Sequence, residues 1–314
     1  PKGIFQTLAD LIKMIQKEDI VPNLADKPIF LLGPIIVFIT IFTGFSMLPL
    51  HSNLAGASVE SGILLVMAIV SLDVLGILMA GWGSNNKFSL FGSVRAIAQI
   101  VSFEIPLGLS VLCVVMICQS MDLQEITRQQ GIYATDPIFL LGLKPINIEV
   151  TQMGGILSWN VIKSPILLFS FLIFFIAGLA EANRAPFDLP ESESDLVGGY
   201  HTEYSGFRWG IFMLAEYGIM LLISFLAIIL FFGGWNTPLI NVGSFQLAKW
   251  TMGNHWEVFW LISKTLILIF VQMWIRWTYP RLRVDQLMTL SWKYLTPFGL
   301  LLVFLCGVWK LMML

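Results

Sequence analysis

Seven stretches of this chain are apolar without alternation: residues 28–50, 62–82, 96–118, 162–180, 209–232, 258–277 and 295–314. Each is long enough, as a helix, to cross about 30 Å of hydrocarbon. Lipid offers the backbone no hydrogen-bond partners, so runs of this length are expected to be helical. The ten-residue alternation of a membrane barrel is absent, and no internal repeat is visible. Ahead of these spans, residues 3–19 place Ile4, Phe5, Leu8, Leu11, Ile12 and Ile15 on one helical stripe, with Asp10, Lys13 and Lys17 elsewhere around it. This segment is too polar to span. It is expected to be an amphipathic helix lying in the membrane interface; the blander alternative is an ordinary surface helix. It has no compact apolar block of the signal-peptide kind.

Composition agrees with the pattern. Of 314 residues, 57% are hydrophobic and only 12% charged, about half the usual ~25%. That is too little charge to coat a soluble domain of this size, so the expected fold class is an all-α polytopic membrane protein in a single membrane domain, 1–314. A net charge of −2 gives no electrostatic invitation to nucleic acid. The three cysteines, Cys113, Cys118 and Cys306, lie in apolar runs and form no CxxC pair, so neither disulfides nor a metal site is expected.

Alternate connections share a side. The side holding the N-terminal segment (side A) carries twelve of the eighteen basic residues, among them Arg184, Arg208, Arg276, Arg281 and Arg283. The opposite side (side B) carries five, and Lys264 lies within a span. The positive-inside rule therefore assigns side A to the cytoplasm.

Three carboxylates fall inside spans: Asp73, Glu104 and Glu216. At a helix centre each costs roughly 2.5–3.5 kcal/mol to insert, so such residues seldom face lipid. Helical rise puts them about 13, 12 and 10 Å from the side-A ends of their spans. They are expected to form one polar layer inside the bundle. Either they relay protons, or each is a structural acid satisfied locally. Lys264 is either their charge partner or snorkels towards side B.

The side-A loop 181–208 reads EANRAPFDLPESESDLVGGYHTEYSGFR. Its acids Glu181, Asp188, Glu191, Glu193, Asp195 and Glu203 face only two bases, Arg184 and Arg208, a net of −4 on the otherwise basic side. Phe187, Leu189, Tyr200, Tyr204, Phe207 and Trp209 are interleaved among them, so the loop is expected to be packed rather than solvated. Phosphate-cradling, zinc-protease and nucleophile-elbow motifs are absent. Any redox chemistry must come from a ligand or a partner.

Four segments carry a resemblance: PKGIFQTLADLIKMIQKED, GWGSNNKFSLFGSVRAIAQIVSFEIPLGLS, EANRAPFDLPESESDLVGGYHTEYSG and RWTYPRLRVDQLMTLSWK. In order, and over essentially the whole chain, they resemble the H-type membrane subunits of NADH:quinone oxidoreductase, the NADH dehydrogenase subunit 1 family of respiratory complex I. That family has eight transmembrane helices. The chain starts at Pro1-Lys2-Gly3, where a basic stretch following the family's first span ends, so it looks like the family without that helix.

The resemblance implies a place at the junction of membrane and peripheral arms, forming the quinone-access chamber and the start of an acidic proton path. Glu104 matches the carboxylate of a Ser-Tyr-Glu segment, with Phe103 in place of Tyr. Glu181, Glu191, Glu193, Asp195 and Glu203 match the acidic loop, and Glu216 the acid of the next helix. Asp73 departs from the small residue associated with its position. Arg276, Arg281, Arg283 and Asp285 match a basic segment beside the peripheral arm. Implied too are quinone as substrate, no cofactor held by this chain, and NADH, FMN and iron–sulfur clusters in partner subunits. Other complex I subunits and membrane lipid would be its partners, and the bacterial inner membrane its location. A membrane subunit of an energy-converting hydrogenase and a stand-alone cation/proton transporter are the alternatives.

Overall fold

A computed structural model describes residues 3, 5–52, 54–56, 59–132, 134, 137, 139, 150–151, 153–190, 197–241, 246–251 and 253–313. Helix α1 (Gln6–Gln16) leads to α2 (Lys27–Ser46) and a short antiparallel pair, β1 (Pro49–His51) and β2 (Leu54–Ala55). Then come α3 (Gly62–Ser71), α4 (Asp73–Gly83), α5 (Lys87–Cys118), α6 (Leu123–Arg128), α7 (Asn160–Lys163), α8 (Pro165–Glu181) and α9 (Gly206–Phe231). Helices α10 (Leu247–Trp250), α11 (Asn254–Thr278), α12 (Val284–Thr289) and α13 (Thr296–Met313) complete the chain. Among the described residues six helical stretches are long and apolar enough to cross a membrane, and α8 is a shorter apolar helix of 17 residues. The protein is an all-α polytopic membrane protein.

Several span boundaries differ from expectation, the fifth and sixth spans starting at Gly206 and Asn254 rather than 209 and 258; four of the differences have a plain local reason. The first span stops at Ser46, before Pro49 enters β1. The third starts at Lys87, not 96, because the Asn86 side chain caps it by accepting the Phe88 N–H at 2.9 Å. The fourth starts at Pro165, because Ser164 before the proline is extended. The last begins at Val284 and runs through a π-helical turn, Leu290–Leu295, into α13. Pro297 stands just beyond that turn, where a regular helix would lack one hydrogen bond and crowd a carbonyl. The N-terminal helix covers Gln6–Gln16 rather than 3–19. None of its residues is buried, and Leu8, Leu11, Ile12 and Ile15 stay exposed, as an interfacial helix requires.

Helix α4 packs closely along α2. A Cβ at Gly76 would stand 2.5 Å from Val37 Cγ2 and 2.9 Å from the Val37 nitrogen, so only glycine permits this approach. Small residues are what let membrane helices touch backbone to backbone.

The side-A segments converge on one end of the bundle. The Asp26 N–H donates to Gly83 O, Asn85 Nδ2 to Leu24 O, and the Ile20 N–H to Ser205 Oγ, all at 3.0 Å. Arg208 pairs with Asp19 at 2.8 Å, and the Leu282 N–H donates to Pro186 O at 3.0 Å. At the other end Gln130 Nε2 donates to Ile229 O, Asn160 Nδ2 to Leu230 O and Lys310 Nζ to Ile117 O.

Two outcomes follow. With the native cysteines all buried, cysteines introduced at exposed Lys17 and Thr278 should react from one membrane face and those at exposed Gln246 and Lys249 from the other; labelling of all four from a single face would contradict this arrangement. Gly76→Ala should lower thermal stability by about 1–3 kcal/mol, whereas Gly62→Ala, whose Cβ would meet only Leu123 at 3.7 Å, should change it little. Melting curves of the two purified variants make the comparison.

Candidate functional site

The site is built around the way α8 ends. Asn183 takes a left-handed conformation, φ 48°. Its N–H donates to Ala180 O at 3.3 Å and the Arg184 N–H to Leu179 O at 3.4 Å. These two bonds make a Schellman stop. From α5, Gln99 Nε2 donates to Ala180 O at 2.7 Å and to Asn183 Oδ1 at 3.1 Å, satisfying a further group of this buried helix end. Glu181 is thereby left as the last residue of α8, buried, and Arg184 is turned back towards α9.

On α9, Glu216 receives two neighbours from the loop. Tyr200 Oη donates to its Oε1 at 3.1 Å, and Arg184 Nη2 stands 3.7 Å from its Oε2. The Arg184 guanidinium also lies 4.3 Å from the centre of the Tyr217 ring. Asp73 comes from the start of α4, where that helix continues from α3 within one span. Asp73, Glu181, Glu216 and Tyr200 line one closed cavity of about 10 Å³, walled by Val37 and Phe212 among others. That is about the space one water molecule needs.

The expected layer of Asp73, Glu104 and Glu216 is therefore corrected. Glu181 takes the third place in the cavity. Glu104 is half-buried in a separate groove of about 500 Å³ between α3 and α5, with Leu64, Met67, Val101, Ile105 and Leu112 around it. Depth along a helix does not fix the direction a side chain faces. Lys264 is not the acids' partner. Its ammonium donates to Phe232 O at 2.8 Å and Asn236 O at 2.9 Å, just past the side-B end of α9.

The loop is packed as its aromatic content foretold: Phe187, Leu189, Tyr200 and Tyr204 are buried, although Phe207 is exposed. Phe187 meets Phe103 with ring centres 5.3 Å apart. Tyr204 stacks on Phe30 at 4.1 Å and donates its hydroxyl to Phe30 O at 2.9 Å; burial pushes its phenol above the ordinary value. Asp188 pairs with Arg281 at 3.0 Å, joining the acidic loop to the basic segment after α11. Glu203 accepts from the side chain of Asn86 at the start of α5. Arg276 is half-buried in the last turn of α11, and Arg283 is exposed. Glu191, Glu193 and Asp195 lie outside the described residues. No three His, Cys, Asp or Glu side chains among the described residues are arranged to hold a metal ion.

Sequence reading missed Gln99 and the role of Tyr200. Ser89, Ser93, Ala96, Gln99 and Phe103 recur at helical spacing and are all buried; that small and polar stripe was the available signal for Gln99. Tyr200 carries no charge and gave none.

Asn183→Gly should preserve the left-handed turn and lose only the Gln99 partner, at a cost of about 1 kcal/mol. Asn183→Val loses the same partner and should cost about 1–3 kcal/mol more, since a branched side chain resists that conformation. Thermal denaturation of both variants decides whether this turn matters as described.

The comparisons with known proteins agree with each other. A family model described as NADH dehydrogenase matches residues 1–307. The second H-type subunit of NADH-quinone oxidoreductase from Cytophaga hutchinsonii is 53% identical, covering 100% of this chain and 89% of the relative. The H-type subunit of Chlorobaculum parvum is 48% identical over 98% of this chain and 80% of its own length. Its Anaeromyxobacter dehalogenans counterpart is 38% identical over 99% of this chain and 72% of its own length. A match of this extent, on a bundle of membrane-spanning helices, means that the chain belongs to the NADH dehydrogenase family, as a membrane subunit of NADH-quinone oxidoreductase.

Proposed function

We infer that this subunit forms the quinone-access chamber where the membrane arm meets the peripheral arm, and begins the acidic path that couples quinone reduction to proton movement. One observation carries the reading: three buried carboxyls from three separate helices, Asp73, Glu181 and Glu216, share a single cavity with Tyr200, and Arg184 stands beside Glu216. Burying three acids this close is costly unless their charge state is put to use. The loop above them is fastened to the basic segment through Asp188 and Arg281. An exposed run containing Arg281, Arg283 and Asp285 beside it offers a charged face to a peripheral partner.

Quinone is the substrate in this reading. NADH, FMN and the iron–sulfur clusters belong to partner subunits, and the chain works in the bacterial inner membrane beside other complex I subunits and lipid. Reducing a quinone to a quinol takes up two electrons and two protons. The protons consumed change the charge next to the loop, and the carboxyls below respond by gaining, losing or passing on a proton. Glu104, in its outward groove, stands where that response leaves this subunit. Neither the hydrogenase nor the transporter alternative has an observation of its own in favour, and the relatives compared above are all named as NADH-quinone oxidoreductase subunits.

Glutamine keeps the shape and hydrogen-bonding capacity of glutamate without its titration. In membranes carrying Glu181→Gln, Glu216→Gln or Glu104→Gln, the complex should assemble, while NADH:quinone reductase turnover and proton uptake per assembled complex fall about tenfold or more. Native rates and native proton stoichiometry in all three variants would remove these acids from the mechanism.

A further inference from the structure

Tyr200 is buried in the tight turn Gly199–His201, where the acidic loop returns to the cavity. Its ring is set edge-on against Phe212 and His201, with centres 5.4 and 5.1 Å away. Its backbone is fastened to α5, where Ser89 Oγ donates to Tyr200 O at 2.8 Å. The turn also lies directly on Gly92, where a Cβ would come within 2.7 Å of the Gly199 carbonyl carbon. The hydroxyl of this doubly fixed side chain reaches Glu216 Oε1 at 3.1 Å.

We propose that Tyr200 is a positioning residue for Glu216, serving its carboxyl in both protonation states and tying its orientation to the acidic loop. This rests on the reading of Glu216 as a proton-carrying group. The chemistry separates Tyr200 from the other neighbour of Glu216. A guanidinium only donates hydrogen bonds, so Arg184 favours the carboxylate and cannot accept the O–H of the protonated acid. A phenol both donates and accepts. With Glu216 ionised, the Tyr200 O–H donates to Oε1. With Glu216 protonated, the phenol rotates about its C–O bond and accepts from the new carboxylic O–H. No bond to carbon changes, and Tyr200 keeps its own proton throughout. The residue supplies a partner to Oε1 at each stage of a proton's arrival and departure.

A second consequence concerns the loop. Tyr200 belongs to the segment tied to Arg281 through Asp188 and to Asn86 through Glu203. A displacement of that segment pulls the hydroxyl away from Glu216 without moving α9. Glu216 thus feels the loop through this hydrogen bond as well as through Arg184.

The test uses the intact complex in native membranes. Tyr200→Phe keeps the ring contacts with Phe212 and His201, so assembly should match the native level. The expected result is a fall in kcat of roughly five- to tenfold, the loss of one buried hydrogen bond, with KM for quinone unchanged, since Tyr200 acts through Glu216 and not on the substrate. In the Glu216→Gln background, Tyr200→Phe should cost nothing further. Ser89→Ala, which frees the backbone of the turn, should give a smaller loss of kcat that also vanishes in that background. In redox-induced infrared difference spectra, the carboxyl band abolished by Glu216→Gln should persist in Tyr200→Phe at a shifted frequency. Native kcat in Tyr200→Phe beside an impaired Glu216→Gln overturns the proposal and leaves Glu216 in place. So does a double variant whose losses multiply, or an unshifted carboxyl band. Native kcat in Glu216→Gln overturns both Glu216's role and the proposal that depends on it.

Discussion

The side-A end of this bundle depends on how α8 stops. A helix that ended in a frayed turn would leave carbonyls unpaired in a region with little water, at a cost of a few kcal/mol. The left-handed Asn183 and the crossing bonds from Gln99 close that end within two residues. Once it is closed, the rest of the site has little freedom. Glu181 is held at the helix tip facing Asp73, Arg184 is directed at Glu216, and Phe187 drops onto Phe103.

The two ends of the bundle solve the same problem by different chemistry. At side B the buried polar groups are mostly amides and hydroxyls, with Lys264 and one carboxylate, Glu257, which accepts from the Ser52 N–H at 2.9 Å; backbone carbonyls are the main acceptors. Gln130 alone ties α6, the start of α7 and the end of α9 together, and Lys264 closes the carbonyls beyond α9. Such a network is satisfied in one arrangement and resists change. At side A the buried cluster adds three carboxyls, Asp73, Glu181 and Glu216, beside one arginine and one phenol. The best arrangement of such a group depends on where its protons are.

Much of this was legible in the chain. Apolar runs gave the spans because lipid permits little else, and the mixture of acids and aromatics between 181 and 208 gave a packed loop. Boundaries failed where capping outweighed hydropathy. Gly81 to Arg95 looks like a loop by composition, yet Asn86 starts a helix there that carries Ser89 and Gly92 into contact with the loop. Azimuth failed at Glu104. The buried stripe of α5 runs through Ala96, Gln99, Phe103 and Leu107, and Glu104 lies one step round from it, towards the outer groove. Glu181 was legible as an acid of the loop and, with Glu104, Glu216 and Asp73, of the expected proton path, but its burial beside Asp73 and Glu216 depends on a tertiary contact from Gln99.

The position of the acid cavity also has an electrical meaning. Helix α5 is 32 residues long, about 48 Å, and so overreaches the hydrocarbon by more than half its thickness. Its first turns carry the loop, and the cluster lies beside Gln99, about 18 Å along the helix from its side-A end. A full crossing of the membrane costs an elementary charge about 2.3 kcal/mol per 100 mV. On the proposed path, a proton entering from side A to that depth would meet less than half of that, about 1 kcal/mol or less. On that reading the membrane voltage weighs lightly on loading these carboxyls. Most of the field lies beyond them, across a side-B half whose buried polar groups have already settled with one another.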